Sequence, residues 1–87
     1  MSPAEIREEI QESNEEALLA VGFDDALIGT AHRFGQPSLA LYDRQKCIDI
    51  LMERDKMSEE EAEEFFEYNV IGSGMGENTP AFANILR

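Results

Sequence analysis

Carboxylates crowd the two ends of this chain, and at both ends they are interleaved with apolar residues at helical spacing. Residues 1–20 hold six Glu against one Arg, and residues 58–87 hold seven Glu against one Arg. Residues 21–57 are nearly balanced, with six Asp or Glu against five Lys or Arg. A segment with Ile6, Ile10, Ala17 and Leu18 on one side and Glu around the rest buries its apolar side best as an amphipathic helix. The same holds for Ala62, Phe65, Phe66, Asn69 and Val70 opposite Glu59, Glu60, Glu63, Glu64 and Glu67. Two acidic helices laid over an apolar centre are therefore the frame into which the rest must fit.

Local signals place the boundaries. Ser2, Pro3 and Glu5 suit an N-cap, a first helical position and a capping box, so the first helix is predicted from Pro3 to about Ala20, with Gly22 as its stop. Residues 26–31 and 38–42 are short apolar runs around Phe34-Gly35-Gln36-Pro37, the pattern of a β-hairpin. A helix continuing from an Asp24 or Asp25 cap is the alternative there. Asp43 is a good N-cap for a helix from Arg44 to about Arg54, whose core face is Cys47, Ile48, Leu51 and Met52. Ser58 and Glu61 form a second capping box for the third helix. The glycine-rich stretch 72–80 reads as a loop, and residues 81–86 as a strand or extended arm that docks back on the core. The expected fold is a single α+β domain over residues 1–87, in the order α-β-β-α-α, with a hairpin covered by helices.

Composition removes several functions. A net charge of −12 disfavours direct binding to nucleic acid or to an anionic membrane, because both present negative charge of their own. No apolar run approaches the roughly 20 residues of a membrane span. Residues 1–5 have neither a basic nor an apolar stretch, so no signal peptide is expected. A single cysteine, Cys47, cannot form an intrachain disulfide, which suits an intracellular protein.

The candidate partner-binding residues are Glu5, Glu8, Glu9, Glu12 and Glu16 on the first helix, Glu60, Glu63, Glu64 and Glu67 on the third, and Glu77 with Asn78 in the late loop. Helical residues three or four apart stand about 5–6 Å from each other, comparable to the charge spacing of a nucleic-acid backbone. A basic protein groove would accept such a line. The plainer reading is that these Glu solvate the outer faces of two helices. The pairs Glu5/Glu8 and Glu61/Glu64 also suggest Mg²⁺ binding with a nucleotide, but no basic residue nearby is placed to grip a phosphate. No metal, no cofactor and no catalytic residue is assigned. His32 and Cys47 could formally pair as base and nucleophile, although a core thiol is the simpler role for Cys47. Gly72-x-Gly74-x-Gly76 follows a helix, not a strand, so it fails the context of a phosphate loop. Asn78-Thr79-Pro80 reads most simply as a turn.

One pattern resembles a known group. Tyr42-Asp43, Lys46-Cys47-Ile48, Ile50-Leu51-Met52, Arg54-Asp55, Met57-Ser58, Glu60-Glu61-Ala62, Phe65-Phe66, Asn69-Val70 and Gly76-Glu77-Asn78-Thr79-Pro80 are similar to a group of small proteins encoded by tailed bacteriophages. Ser73, Gly74 and Met75 stand where that group is expected to carry a bulkier, aromatic-containing stretch, and the first helix lies outside the match. The resemblance implies a phage origin and a host bacterial cytoplasm. It brings no established activity.

The expected function is non-enzymatic: an acidic protein that binds a basic surface of a host protein, as an inhibitor of host defence or a nucleic-acid mimic. A Mg-dependent nucleotide hydrolase and a virion or assembly component are the alternatives. A homodimer is compatible with each, since Phe82, Ile85 and Leu86 would gain burial from a neighbour.

Overall fold

A computed structural model describes residues 1–71 and 76–86. The element order is α1 (Pro3–Ser13), β1 (Leu27–Ala31), β2 (Leu39–Asp43), α2 (Arg44–Arg54), α3 (Glu59–Phe65) and β3 (Ala81–Ala83). A short 3-10 turn, Asp24–Ala26, leads into β1, and a π-helical turn, Phe66–Val70, extends α3. The fold is α+β, as the patterning predicts, with β3 completing the order α-β-β-α-α-β.

The three caps form as the sequence demands. The Glu5 N–H donates to Ser2 Oγ and the Ser2 N–H donates back to Glu5 Oε1 at 2.9 Å. Ser58 and Glu61 repeat this exchange at the start of α3. The Lys46 N–H donates to Asp43 Oδ1, so β2 turns directly into α2. Each bond satisfies an amide that has no partner in the first helical turn.

The first helix is shorter than predicted. It ends at Ser13, and the expected continuation to Ala20 does not form. Asn14 supplies the reason. Its Oδ1 accepts the Glu16 N–H, while its Nδ2 donates to the Ser38 carbonyl at 3.0 Å and to Asn78 Oδ1 at 2.9 Å. A short amide that bonds backbone in this way competes with the helical ladder. Glu16 therefore lies in a turn and not on a helix.

The sheet order is β1-β2-β3, with β1 antiparallel and β3 parallel to β2. Alternation along β2 sends Ala40 and Tyr42 into the core and Leu39 and Leu41 to the opposite, half-buried face. The core gathers Ile6 and Ile10 from α1, Cys47, Ile48 and Leu51 from α2, and Ala62 and Phe66. The helices thus share one face of the sheet. Tyr42 organises it. Its ring stacks on Phe82 at 5.5 Å, and Phe66 meets Phe82 edge-on at 5.0 Å. The Ala20 N–H donates to the Tyr42 hydroxyl at 2.8 Å, which ties the segment after α1 to the middle strand.

The predicted apolar face of the third helix divides. Ala62 and Phe66 are buried, whereas Phe65 and Asn69 are exposed. Ala62 and Phe66, four apart, take the core-facing positions, so Phe65 is rotated about 100° away from Phe66, and within the π turn Asn69 leaves the stripe that an unbroken α-helix would extend. The glycine motif falls largely on residues 72–75, outside the described residues.

Tyr42→Phe keeps the ring stack and removes the bond to Ala20; a loss of about 1 kcal/mol in urea unfolding is expected. Lys56 follows the end of α2 with φ 58°, a left-handed conformation. Lys56→Gly relieves that strain and should raise stability by about 0.5–1 kcal/mol in the same assay.

Candidate functional site

The chain after α1 builds one wall of an apolar groove. Residues 17–22 have no regular structure, yet they are tied at several points. The Leu18 N–H donates to the Asn78 carbonyl at 3.0 Å, and Ala20 is held by Tyr42. Arg54 Nη1 donates to the Gly22 carbonyl at 3.0 Å. Gly22 has φ +89°, a left-handed conformation that favours glycine, and a Cβ there would come within 2.9 Å of Arg54 Nη1 and push that guanidinium aside. With its backbone held, the segment presents Leu18 and Val21 outward.

The opposite wall comes from the end of α3 and the π turn. Phe66 is seated on Phe82, so its neighbour Phe65 points elsewhere, into the groove with Val70. Phe82 and Pro80 line it as well. The cavity is about 460 Å³, within the range of small-molecule or side-chain pockets. A shallower depression continues from it past Met57, Tyr68, Glu61 and Glu64, sharing Phe65 and Asn69 with the main groove. Exposure is high for apolar side chains: Val21 93%, Tyr68 76%, Leu18 45% and Phe65 38%. Helical periodicity assigns Leu18 and Phe65 to buried apolar faces, and the structure instead exposes them. The available signals are the adjacent pair Phe65-Phe66 and the run Leu18–Val21 beside Gly22.

The acidic residues fall into two groups. Glu8, Glu9 and Glu12 are exposed on α1, with Glu16 exposed in the turn beyond it. Glu60, Glu63 and Glu64 are exposed on α3. α1 packs against β1 and β2, whereas α3 packs against α2. Leu19 lines a depression against Ala4, Arg7 and Gln11 of α1 and also the groove, so residues 17–22 lie between α1 and the groove. Glu61 and Glu64 of α3 line the depression that shares Phe65 and Asn69 with the groove, and Glu8 of α1 lines the one that shares Leu19 with it.

Some predicted site residues have work inside the fold. The Ser2 N–H lowers the Glu5 carboxyl below its ordinary range, and the Ser58 N–H does the same for Glu61. One member of each Glu-x-x-Glu pair is thus turned back on its own helix start. Among the described residues, no three His, Cys, Asp or Glu side chains come together as a metal would need. Glu67 pairs with Arg44 at 3.0 Å, and the Arg44 guanidinium also lies over the Phe66 ring. Asn78 is half-buried and holds Asn14 and Leu18 in place, while Glu77 is exposed beside it.

His32 and Cys47 are not brought together. His32 Nδ1 lies 3.4 Å from Ser38 Oγ near the hairpin tip, and Cys47 is fully buried in the core. No described helix is long and apolar enough to cross a membrane. Comparisons with protein-family models, with curated proteins and with solved structures find no match to this chain.

Burial pushes the Cys47 thiol up to about 12. The folded protein should therefore resist a disulfide reagent at pH 8 and react at once in denaturant. Because the folded value lies above the ordinary 9.0, this group's contribution to stability is complete below about pH 9 and declines as pH climbs from there toward 12. Urea midpoints measured from pH 8 to pH 11 should fall, and fall less in Cys47→Ala.

Proposed function

We propose that this is a non-enzymatic interaction protein that binds a basic protein surface through exposed glutamates, with α3 as the principal contact. One observation carries the reading. The arginines that form ion pairs are occupied within the fold: Arg7 with Asp24 at 3.3 Å, Arg44 with Glu67, and Arg54 with Asp55 at 3.1 Å. Glu60, Glu63 and Glu64 have no such neighbour among the described residues. An ordered, uncompensated row of carboxylates raises the local concentration of cationic partners and sets the register in which they dock.

The α1 residues Glu8, Glu9 and Glu12, with Glu16, form a second acidic field that assists steering without lining the same groove. Resemblance of residues 42–80 to phage-encoded proteins extends the reading to a host bacterial protein as partner. Inhibition of host defence, by occupying a groove that otherwise takes nucleic acid, is the function that follows.

Capture from a bacterial lysate on the immobilised protein tests this. Bound proteins should be basic, should elute as salt rises toward about 0.5 M, and should be lost when Glu60, Glu63 and Glu64 are changed together to Gln. Retention that ignores both salt and the Gln changes would remove the electrostatic reading.

A further inference from the structure

Two α3 carboxylates, Glu61 and Glu64, line a depression that adjoins the apolar groove, and this juxtaposition is more selective than charge alone. Leu18 and Val21 on one side and Phe65 on the other expose apolar surface that lines one cavity, unlike Phe34, Ile85 and Leu86, which are exposed but do not line it. A small monomer seldom leaves such surface contiguous without use. The groove is about 460 Å³ and continues past Tyr68 to Glu61 and Glu64. Among the described residues Arg54 is the one cation in its wall, and that guanidinium is bonded to Asp55 and to the Gly22 carbonyl.

We infer that the groove docks an amphipathic basic helix of a partner protein, whose apolar side chains enter between Leu18 and Phe65 while its Lys or Arg residues face the α3 glutamates. The inference rests on the proposed binding of a basic partner and specifies the shape of that partner. Charge complementarity selects it. The net charge of −12 and the Glu61–Glu64 margin disfavour an acidic occupant, and the mainly apolar lining of the groove disfavours a purely polar one. An apolar anchor in a desolvated pocket supplies most of the affinity in such an arrangement, and the charged margin supplies rate and selectivity.

The test is fluorescence anisotropy with two synthetic peptides of one composition, Leu and Lys only. In one the Leu residues recur at i, i+3, i+4 and i+7, and in the other the order is scrambled. The amphipathic peptide should bind about tenfold or more tighter. Leu18→Ser with Val21→Ser changes two exposed side chains, so the fold is kept; circular dichroism checks this. That double variant should erase the preference and leave the scrambled peptide unaffected. Glu60, Glu63 and Glu64 changed together to Gln should weaken both peptides and flatten their salt dependence. Equal binding of the two peptides, with no effect of the serine changes, overturns the groove and leaves the charge reading standing. Absence of binding to either peptide at low salt overturns both. Light scattering that shows a dimer dissociated by the serine changes would assign the groove to a second copy of this chain and overturn the proposed partner.

Discussion

Tyr42 holds two parts of the molecule at once, and the rest of the structure depends on that double attachment. Its ring anchors Phe82, which in turn seats Phe66. Its hydroxyl accepts the Ala20 N–H and so holds the irregular segment after α1. The two walls of the groove are therefore set by one residue of the middle strand. Burial raises the Tyr42 phenol above its ordinary value, so the hydroxyl stays neutral while it accepts the Ala20 N–H.

Charge has a different economy. The few arginines reinforce contacts already made by packing: Arg44 lies over Phe66 at 5.5 Å and Arg54 over Phe23 at 5.4 Å, each also bound to a carboxylate. Exposed pairs of this kind contribute little individually, about 0–1 kcal/mol. Their effect is positional. They fix Gly22 beside α2 and the π turn beside α2, and leave the α3 carboxylates facing solvent next to an apolar groove.

Much of the fold was legible in the residues. Ser2-x-x-Glu5 and Ser58-x-x-Glu61 announce helix starts because their bonds close within four residues, and Asp43 does the same for α2. The hairpin followed from two short apolar runs about a turn containing Gly35. The first helix was misjudged for a physical reason. Residues 15–20 favour helix locally, but Asn14, Leu18 and Ala20 bond to Ser38, Asn78 and Tyr42, partners far away in sequence. Tertiary bonds outweigh a propensity difference of a few tenths of a kcal/mol per residue. The candidate site shows the same division. Its glutamates could be picked out by spacing, whereas Leu18, Val21 and Phe65 could not.

The amino-acid order alone decided the α+β class, the helix starts, the hairpin and the acidic outer faces, since each rests on contacts between near neighbours or on a simple period. Only the assembled structure decided where α1 stops, that residues 81–83 return parallel to β2, and which Phe of the adjacent pair is buried. Those outcomes depend on Tyr42, Asn78 and Phe82 meeting residues distant in the chain. The groove is their joint product, because a cavity belongs to the space between elements and to no single segment.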